Sequence, residues 1–359
     1  MLSLRALRAI SPVVLLAFAV ASCGGDSTVD TTTTTAVGAD EVVIEGGTGL
    51  FGECLREAFF DPFTGESGIT VLEAPEDAGM ARTQLAVETG NYEVDVEQLD
   101  SASQLQEFGE DLLEPIDYSK VPEDEIIPGL ALEHGVAINP NAFVLAYNEE
   151  FLPEGVTPES IEDFFDLERF PGKRGMFEFL EAHWIALALL ADGVPPDEVV
   201  PFDFDRAFAK LDTIKDELVY ASSGTDMRAL LDTGETPLQI TFASRVKESA
   251  EAGIPAGATW DGFSIFANFM AVPKGNPNVG TAMDLIAFIS RSDVSGGMSY
   301  CVGVGPANVE AEVDPAAEPY LPTTHIDERH VNLSSPDAIE WMTGNEEEIF
   351  NRFQEWKTG

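Results

Sequence analysis

The stretch Glu41-Val-Val-Ile-Glu45, running into Gly46-Gly47-Thr48-Gly49, is where the fold declares itself. Three β-branched residues between two acids read as a short buried strand. The glycines after it leave the backbone free to turn sharply and to present N–H groups. The pattern then repeats. A helix is predicted over Gly52–Phe63, a turn at Gly65–Gly68 and a strand at Ile69–Glu73. A helix at Ala78–Glu88, a strand at Val94–Leu99 and a helix at Ser101–Phe108 follow. Such β-α-β-α alternation specifies an open α/β sheet covered by helices. Ligands of these sheets collect beyond the C-terminal ends of the strands, which puts Thr48, Gly49, Asp100 and Ser101 on the candidate rim. No acidic partner follows Gly-Gly-Thr-Gly at the distance a dinucleotide fingerprint requires, so no cofactor is assigned.

Upstream of this strand the chain is of another kind. Arg5 and Arg8 precede an apolar run, Ala9 to Ala21, which exits through Val20-Ala21-Ser22 into Cys23. A positive head, a short apolar core and small residues at the exit make residues 1–22 a secretory signal, too short and wrongly flanked for a membrane span. The exit resembles a bacterial lipobox, which makes Cys23 the lipidated first residue of the mature chain. A cleaved signal with a chance cysteine is the competing reading. Residues 23–40, with the run Thr31–Thr35, carry almost no large apolar side chains and read as a flexible tether. The expected product is exported and held to the outer face of the membrane by its lipid alone.

Composition bounds the rest. An apolar fraction of 44% and 23 phenylalanines argue for a folded body, and its length suffices for two cores. With 19 basic and 64 acidic residues the formal charge is 19 − 64 = −45, which excludes nucleic acid and an anionic membrane face as partners. The acids are spread along the chain, as a solvated surface requires. Once Cys23 is set aside, Cys54 and Cys301 are the two remaining thiols. In an oxidising compartment they suggest one disulfide, with two unpaired buried thiols as the alternative.

Further along, strands are predicted at Ala142–Tyr147 and Leu238–Phe242 and an extended segment at Phe263–Pro273. Helices are predicted at Ser160–Phe165, Glu181–Ala191, Asp205–Lys215, Ser244–Ala252 and Thr281–Ser290, with two amphipathic helices between Ser335 and Trp356. Ser223 and Asp226 have capping-box-like spacing ahead of another helix.

Read in order, several segments carry a family likeness. They are Phe59-Phe-Asp-Pro-Phe-Thr-Gly-Glu-Ser-Gly-Ile-Thr-Val71, Leu113-Glu-Pro-Ile-Asp117, Ala146-Tyr-Asn148, Phe170-Pro-Gly-Lys-Arg-Gly175, Leu190-Ala-Asp-Gly-Val194, Ala271-Val-Pro-Lys-Gly275 and the final Glu355-Trp356. Together they resemble the solute-binding proteins of bacterial ABC importers, of the spermidine/putrescine-binding type. The resemblance implies an α/β, two-lobe periplasmic-binding-protein fold of type II, hinged between the lobes. It implies a monomer that traps a small solute and docks on a permease and its ATPase, with no catalysis and no metal. Lobe 1 is expected at 41–138 plus 263–330, lobe 2 at 139–262, and C-terminal helices at 331–359 packing on the lobes.

The polyamine type fits the site residues only in part. A polyamine needs carboxylates for its ammonium groups and aromatic faces for its stem. The family's aspartate before the Ala-Val-Pro-like segment is Asn268 here, the ring before it is Phe266, and the ring of the preceding strand is Phe242. The family's tyrosines after Val94-Asp-Val96 are replaced by Asp100-Ser-Ala-Ser103. Glu178 and Glu181 are out of register in the helix that supplies further carboxylates, with His183 and Trp184 nearby. Arg245 adds a cation after the strand 238–242, where it would clamp an acid, and the helix behind Ser223-Gly224-Thr225 offers backbone N–H groups to the same anion. A compact amino-carboxylate therefore rivals a polyamine. Each residue has a plainer role open to it: Arg245 paired with a surface acid, Ser223 a cap, Phe242 core, and Trp260 off the cleft. The histidines His134, His183, His325 and His330 lack helical zinc spacing, and there is no Gly-x-Ser-x-Gly elbow. An exported lipoprotein enzyme or surface scaffold on the same fold is the rival reading.

Overall fold

Val42 and Ile44 of β1 (Glu41–Glu45) are fully buried, and the chain turns at Gly46-Gly47 into α1 (Gly49–Leu55). The structure, a computed structural model, describes residues 40–47, 49–75, 80–99 and 102–359. The signal, Cys23, the tether residues up to 39 and the rim residues Thr48, Asp100 and Ser101 lie outside the described residues. A Cβ at position 52 would stand 2.1 Å from the Gly47 carbonyl oxygen, so only glycine lets the helix start this close to the strand it leaves.

The first helix is longer than the sequence predicts. α1 continues through a π-helical turn (Arg56–Phe60) into α2 (Asp61–Ser67), which stops at Gly68 in the left-handed conformation with its N–H on the Thr64 carbonyl. Phe59, Phe60 and Phe63 hold this run on the core, so Gly65 lies inside a helix instead of opening a turn. β2 (Thr70–Ala74) pairs parallel with β1, and α3 (Ala81–Thr89), β3 (Glu97–Leu99) and α4 (Ala102–Leu112) complete the predicted alternation.

After α4 come the short strands β4 (Ala131–Leu132) and β5 (Gly135–Ala137), then β6 (Asn141–Asn148) and β7 (Arg174–Phe177). The predicted helix over 160–165 is 3-10 in form, Ile161–Phe165. α5 (Glu181–Ala191) and β9 (Leu238–Phe242) have the predicted bounds. Between them lie α6 (Phe204–Asp212), β8 (Leu218–Ala221) and α7 (Gly224–Asp232). α8 (Ala243–Glu251), β10 (Ala256–Phe266), β11 (Phe269–Ala271), α9 (Val279–Ile289), β12 (His330–Asn332), α10 (Pro336–Thr343) and α11 (Glu346–Thr358) follow. β10 runs on to Phe266, and the predicted extended segment 263–273 is broken at Ala267-Asn268, where the chain leaves one sheet for another.

The sheets are a parallel pair β1-β2, a four-stranded sheet β3-β11-β5-β4 and a six-stranded mixed sheet β12-β10-β6-β9-β7-β8. The last is buried on both faces, which is why β6 reads as an unbroken apolar run. Ala142, Val144 and Ala146 enter one core with β1, β5 and β11, whereas Phe143 and Leu145 enter a second with α5, α6 and α11. α5 is buried almost all round from Trp184 to Ala191, as a helix without a polar face must be. Arg174, at the start of β7, is buried with its guanidinium donating to the carbonyls of Phe164, Asp166, Phe170 and Gly172. Burial pushes its pKa down to about 10, which still leaves it charged. The C-terminal helices close both cores, Ile339 on the first and Ile349, Phe353 and Trp356 on the second. Among the described residues no helix is long and apolar enough to cross a membrane.

Cys54 and Cys301 are bridged, with Cα atoms 5.9 Å apart across 247 residues of sequence. Closing so long a loop removes much of the unfolded chain's freedom, up to about 5 kcal/mol in the chain-entropy model. The Cys54→Ala/Cys301→Ala variant is expected to lose about 2–5 kcal/mol in denaturant unfolding, and reduced wild type is expected to match it. Unfolding curves that coincide with or without reductant would show that the bridge adds nothing.

Candidate functional site

β7, β8 and β9 are mutually parallel, so Phe177, Ala221 and Phe242 end on one edge of the six-stranded sheet, and α5, α7 and α8 all start from it. This is the edge at which α/β sheets bind ligands. The register β10–β6–β9 sets Ser264 beside Phe143 and Phe143 beside Phe242. The result is a ring box. The Phe143 centroid lies 4.5 Å from Phe242, 5.1 Å from Phe266 and 4.8 Å from His183, and Phe242 lies 5.3 Å from Phe177.

His183 reaches this box from the first turn of α5. Leu180, just before the helix, has φ +72°, the left-handed region, and is the one non-glycine residue with positive φ among the described residues. A bulky residue held there is strained, and such strain collects at ligand sites. The turn directs Glu181, Ala182 and His183 into an open crevice of about 300 Å³, lined also by Ser103 of α4 and by Met342, Glu346 and Phe350 of the C-terminal segment. His183 Nδ1 lies 2.7 Å from Ser264 Oγ, and burial between rings pushes the imidazole pKa down to about 4. Phe179 and Phe350 keep 39% and 53% of their surfaces exposed, unusual for phenylalanine, and flank this region.

Arg245 sits in the first turn of α8, three residues past Phe242. It lies across Gly224, the first residue of α7, where an added Cβ would come 2.8 Å from its Nε. A guanidinium and a helix N-terminus, both positive, thus converge. Nη1 is bonded to Glu248 Oε1 at 2.5 Å, while Nε has no hydrogen-bond partner. Ser223 is the N-cap: its Oγ accepts from the Asp226 N–H at 3.1 Å and donates to Asp226 Oδ2 at 2.7 Å.

The expected site residues therefore fall into groups. Phe242 and Phe266 share the ring box, Glu181 lines the crevice, and Ser223, Gly224 and Arg245 meet at the start of α7, with Thr225 exposed one residue on. Asn268 lies at the crossing from β10 to β11, where its carbonyl accepts from the Ile138 N–H. Gly49 is exposed at the start of α1 with φ +57°. Trp260 lies elsewhere: its indole donates to the Pro319 carbonyl and stacks on His325 at 4.0 Å, within the first core. Phe143, Phe177, Ser264 and the C-terminal residues are absent from the sequence prediction. Phe143 and Ser264 fall within predicted extended segments and Phe177 does not, and nothing local marks the three as neighbours.

Comparison with known proteins agrees with this geometry. A family model described as bacterial extracellular solute-binding protein matches residues 58–323. The chain belongs to that family. This solute-binding protein is 28% identical over 311 residues to the gamma-aminobutyric acid (GABA)-binding protein of Pseudomonas aeruginosa, covering 84% of this chain and 86% of that one. Among solved structures, a GABA receptor matches with a TM-score of 0.76 at 28% identity, over 88% of this chain and 97% of that one. The periplasmic binding protein AgtB of A. tumefaciens R10, in complex with agropinic acid, matches with a TM-score of 0.66 at 28% identity, over 89% and 99%. The two-lobe type II fold follows, and the chain is the receptor component of an ABC importer rather than an enzyme. The narrower polyamine type is not what these relatives are.

The low pKa of His183 has a consequence for stability. Between pH 6.5 and 4 the unfolded chain takes up a proton that the folded ring refuses, so stability falls as pH falls through that window. Wild type is expected to lose up to about 3 kcal/mol relative to His183→Gln between those limits, and less insofar as solvent reaches the ring from the crevice. Chemical unfolding of both proteins at pH 7, 5.5 and 4 measures this; parallel losses would mean the ring protonates freely.

Proposed function

We propose that this receptor captures a compact solute carrying both an amine and a carboxylate, of the GABA kind, and hands it unchanged to its permease. The observation that carries the reading is Arg245 laid on Gly224 at the N-terminus of α7, with Nε unpartnered. A guanidinium at a helix N-terminus favours an anion over an ammonium, although Glu248 at 2.5 Å and Asp226 in the first turn of α7 already offset part of that charge. The ring box takes the methylene stem, and Glu181 and Glu346 on the crevice offer carboxylates to the amine. The GABA-binding relatives support this reading over a polyamine, for which Asn268 supplies no charge.

We place lobe 1 at 41–138 plus 263–330 and lobe 2 at 139–262, with 331–359 packed across them. Support comes from the sheet change at Ala267-Asn268, although the first core also takes in Ala142, Val144, Ala146, Leu231, Ala243 and Val246 of the second lobe. The solute closes the lobes on itself. The mature protein is a monomer tethered outside the cell through lipid on Cys23, its signal cleaved after residue 22.

Thermal shift of residues 41–359 against GABA, other amino acids, putrescine and spermidine tests the ligand class. GABA-like solutes at 100 Kd add about 2.7 kcal/mol of apparent stability. Arg245→Ala is expected to weaken them more than tenfold by calorimetry with the melting point of the free protein unchanged. A response to putrescine and spermidine alone would favour the polyamine reading. Cys23→Ala is expected to release the protein from the membrane fraction into the soluble one; unaltered partition would mean another anchor.

A further inference from the structure

Ser264 is fully buried in β10, and among the described residues its hydroxyl has one hydrogen-bond partner, His183 Nδ1 at 2.7 Å. A buried hydroxyl whose proton finds no acceptor is costly, about 1–3 kcal/mol. If Nδ1 carried the imidazole proton, it would donate to Oγ and leave the Ser264 proton without an acceptor. The arrangement that satisfies both groups has Ser264 donating to Nδ1, which puts the ring proton on Nε2. Among the described residues Nε2 has no protein partner, and it is not among the buried polar atoms that lack one, so it opens toward the crevice that His183 lines. The rings of Phe143 and Phe266, at 4.8 and 5.9 Å, fix the imidazole plane.

Resting on the reading of an amino-carboxylate ligand, we propose that Ser264 and the ring box lock His183 as a neutral Nε2–H donor, and that this donor selects solutes bearing a carboxylate or carbonyl oxygen over simple polyamines. A protonated polyamine is all donors. Opposite Nε2–H it leaves two donors facing each other in a confined space, whereas a carboxylate oxygen accepts. The burial that holds the ring neutral also keeps it from acting as a second cation, so it reads hydrogen-bond polarity while Arg245 reads charge. Ser264 is a positioning residue: it sets the tautomer without touching the solute.

Two measurements test this. In protein labelled with 15N-histidine at pH 7, the signals that disappear in His183→Phe are expected to show the neutral Nε2–H tautomer, and Ser264→Ala is expected to mix the two tautomers. A neutral Nδ1–H form, or an imidazolium, overturns the inference with no ligand involved. By calorimetry, His183→Phe is expected to weaken GABA at least tenfold, while His183→Gln, which keeps an N–H near Nε2, loses less than about threefold. If wild type binds GABA and His183→Phe binds it equally well, the inference falls and the amino-carboxylate reading stands. If wild type binds putrescine and spermidine but no acid-bearing solute, both fall.

Discussion

The antiparallel pairing of β6 with β10 is the constraint on which the rest depends. Phe143 opposes Ser264, Ala142 opposes Ile265 and Asn141 opposes Phe266, and on its other edge β6 sets Phe143 beside Phe242 of β9. Because side chains alternate along a strand, this register fixes which residues enter each core. It also fixes that three phenylalanines and a serine gather at one end of the sheet. A slip of one residue would send Phe143 and Leu145 into the core now filled by Ala142, Val144 and Ala146. The same two strands carry the chain toward and away from the sheet that holds β3, β11, β5 and β4, so packing and binding share one set of hydrogen bonds.

The charge of −45 and the chemistry of the site are separate matters. Most ion pairs here are exposed or half-exposed and worth little individually. At the candidate edge the charges are mixed, with Arg245 paired to Glu248 and Asp226 in the first turn of α7. An arginine and a helix N-terminus converge beside apolar rings, and the imidazole among those rings is held neutral by burial.

Much of the fold was legible in the sequence because its signals are local. α5 and β9 have the predicted bounds, set by unbroken apolar runs with turn residues or charges on either side. The Ser223–Asp226 spacing is a realised cap, and the two cysteines left after Cys23 are bridged. β7 and β8 lie outside the predicted strands because four residues apiece leave no period to detect. Nothing in the sequence marks Arg174 as buried, since its carbonyl cage is built by the fold. The helix through Gly65 was cut short because a glycine flanked by polar residues resembles a turn wherever tertiary burial is unknown. Of the candidate site, Phe242, Phe266 and Arg245 could be named singly, and Trp260 was drawn in by its place near the crossing although it packs on His325.

What the sequence determined by itself is the class of molecule: an alternating α/β chain rich in acids, with the segment order of a solute-binding protein. Periodicity, capping and turn chemistry act over a few residues and survive without coordinates. What only the tertiary structure decided is which residues meet. Phe143, Phe177, His183, Phe242, Ser264 and Phe266 come from segments up to 123 residues apart (266 − 143), and strand register and one strained turn bring them together. Local patterns place each residue in its own element, but the partner across the sheet is chosen by non-local hydrogen bonds that no single segment encodes.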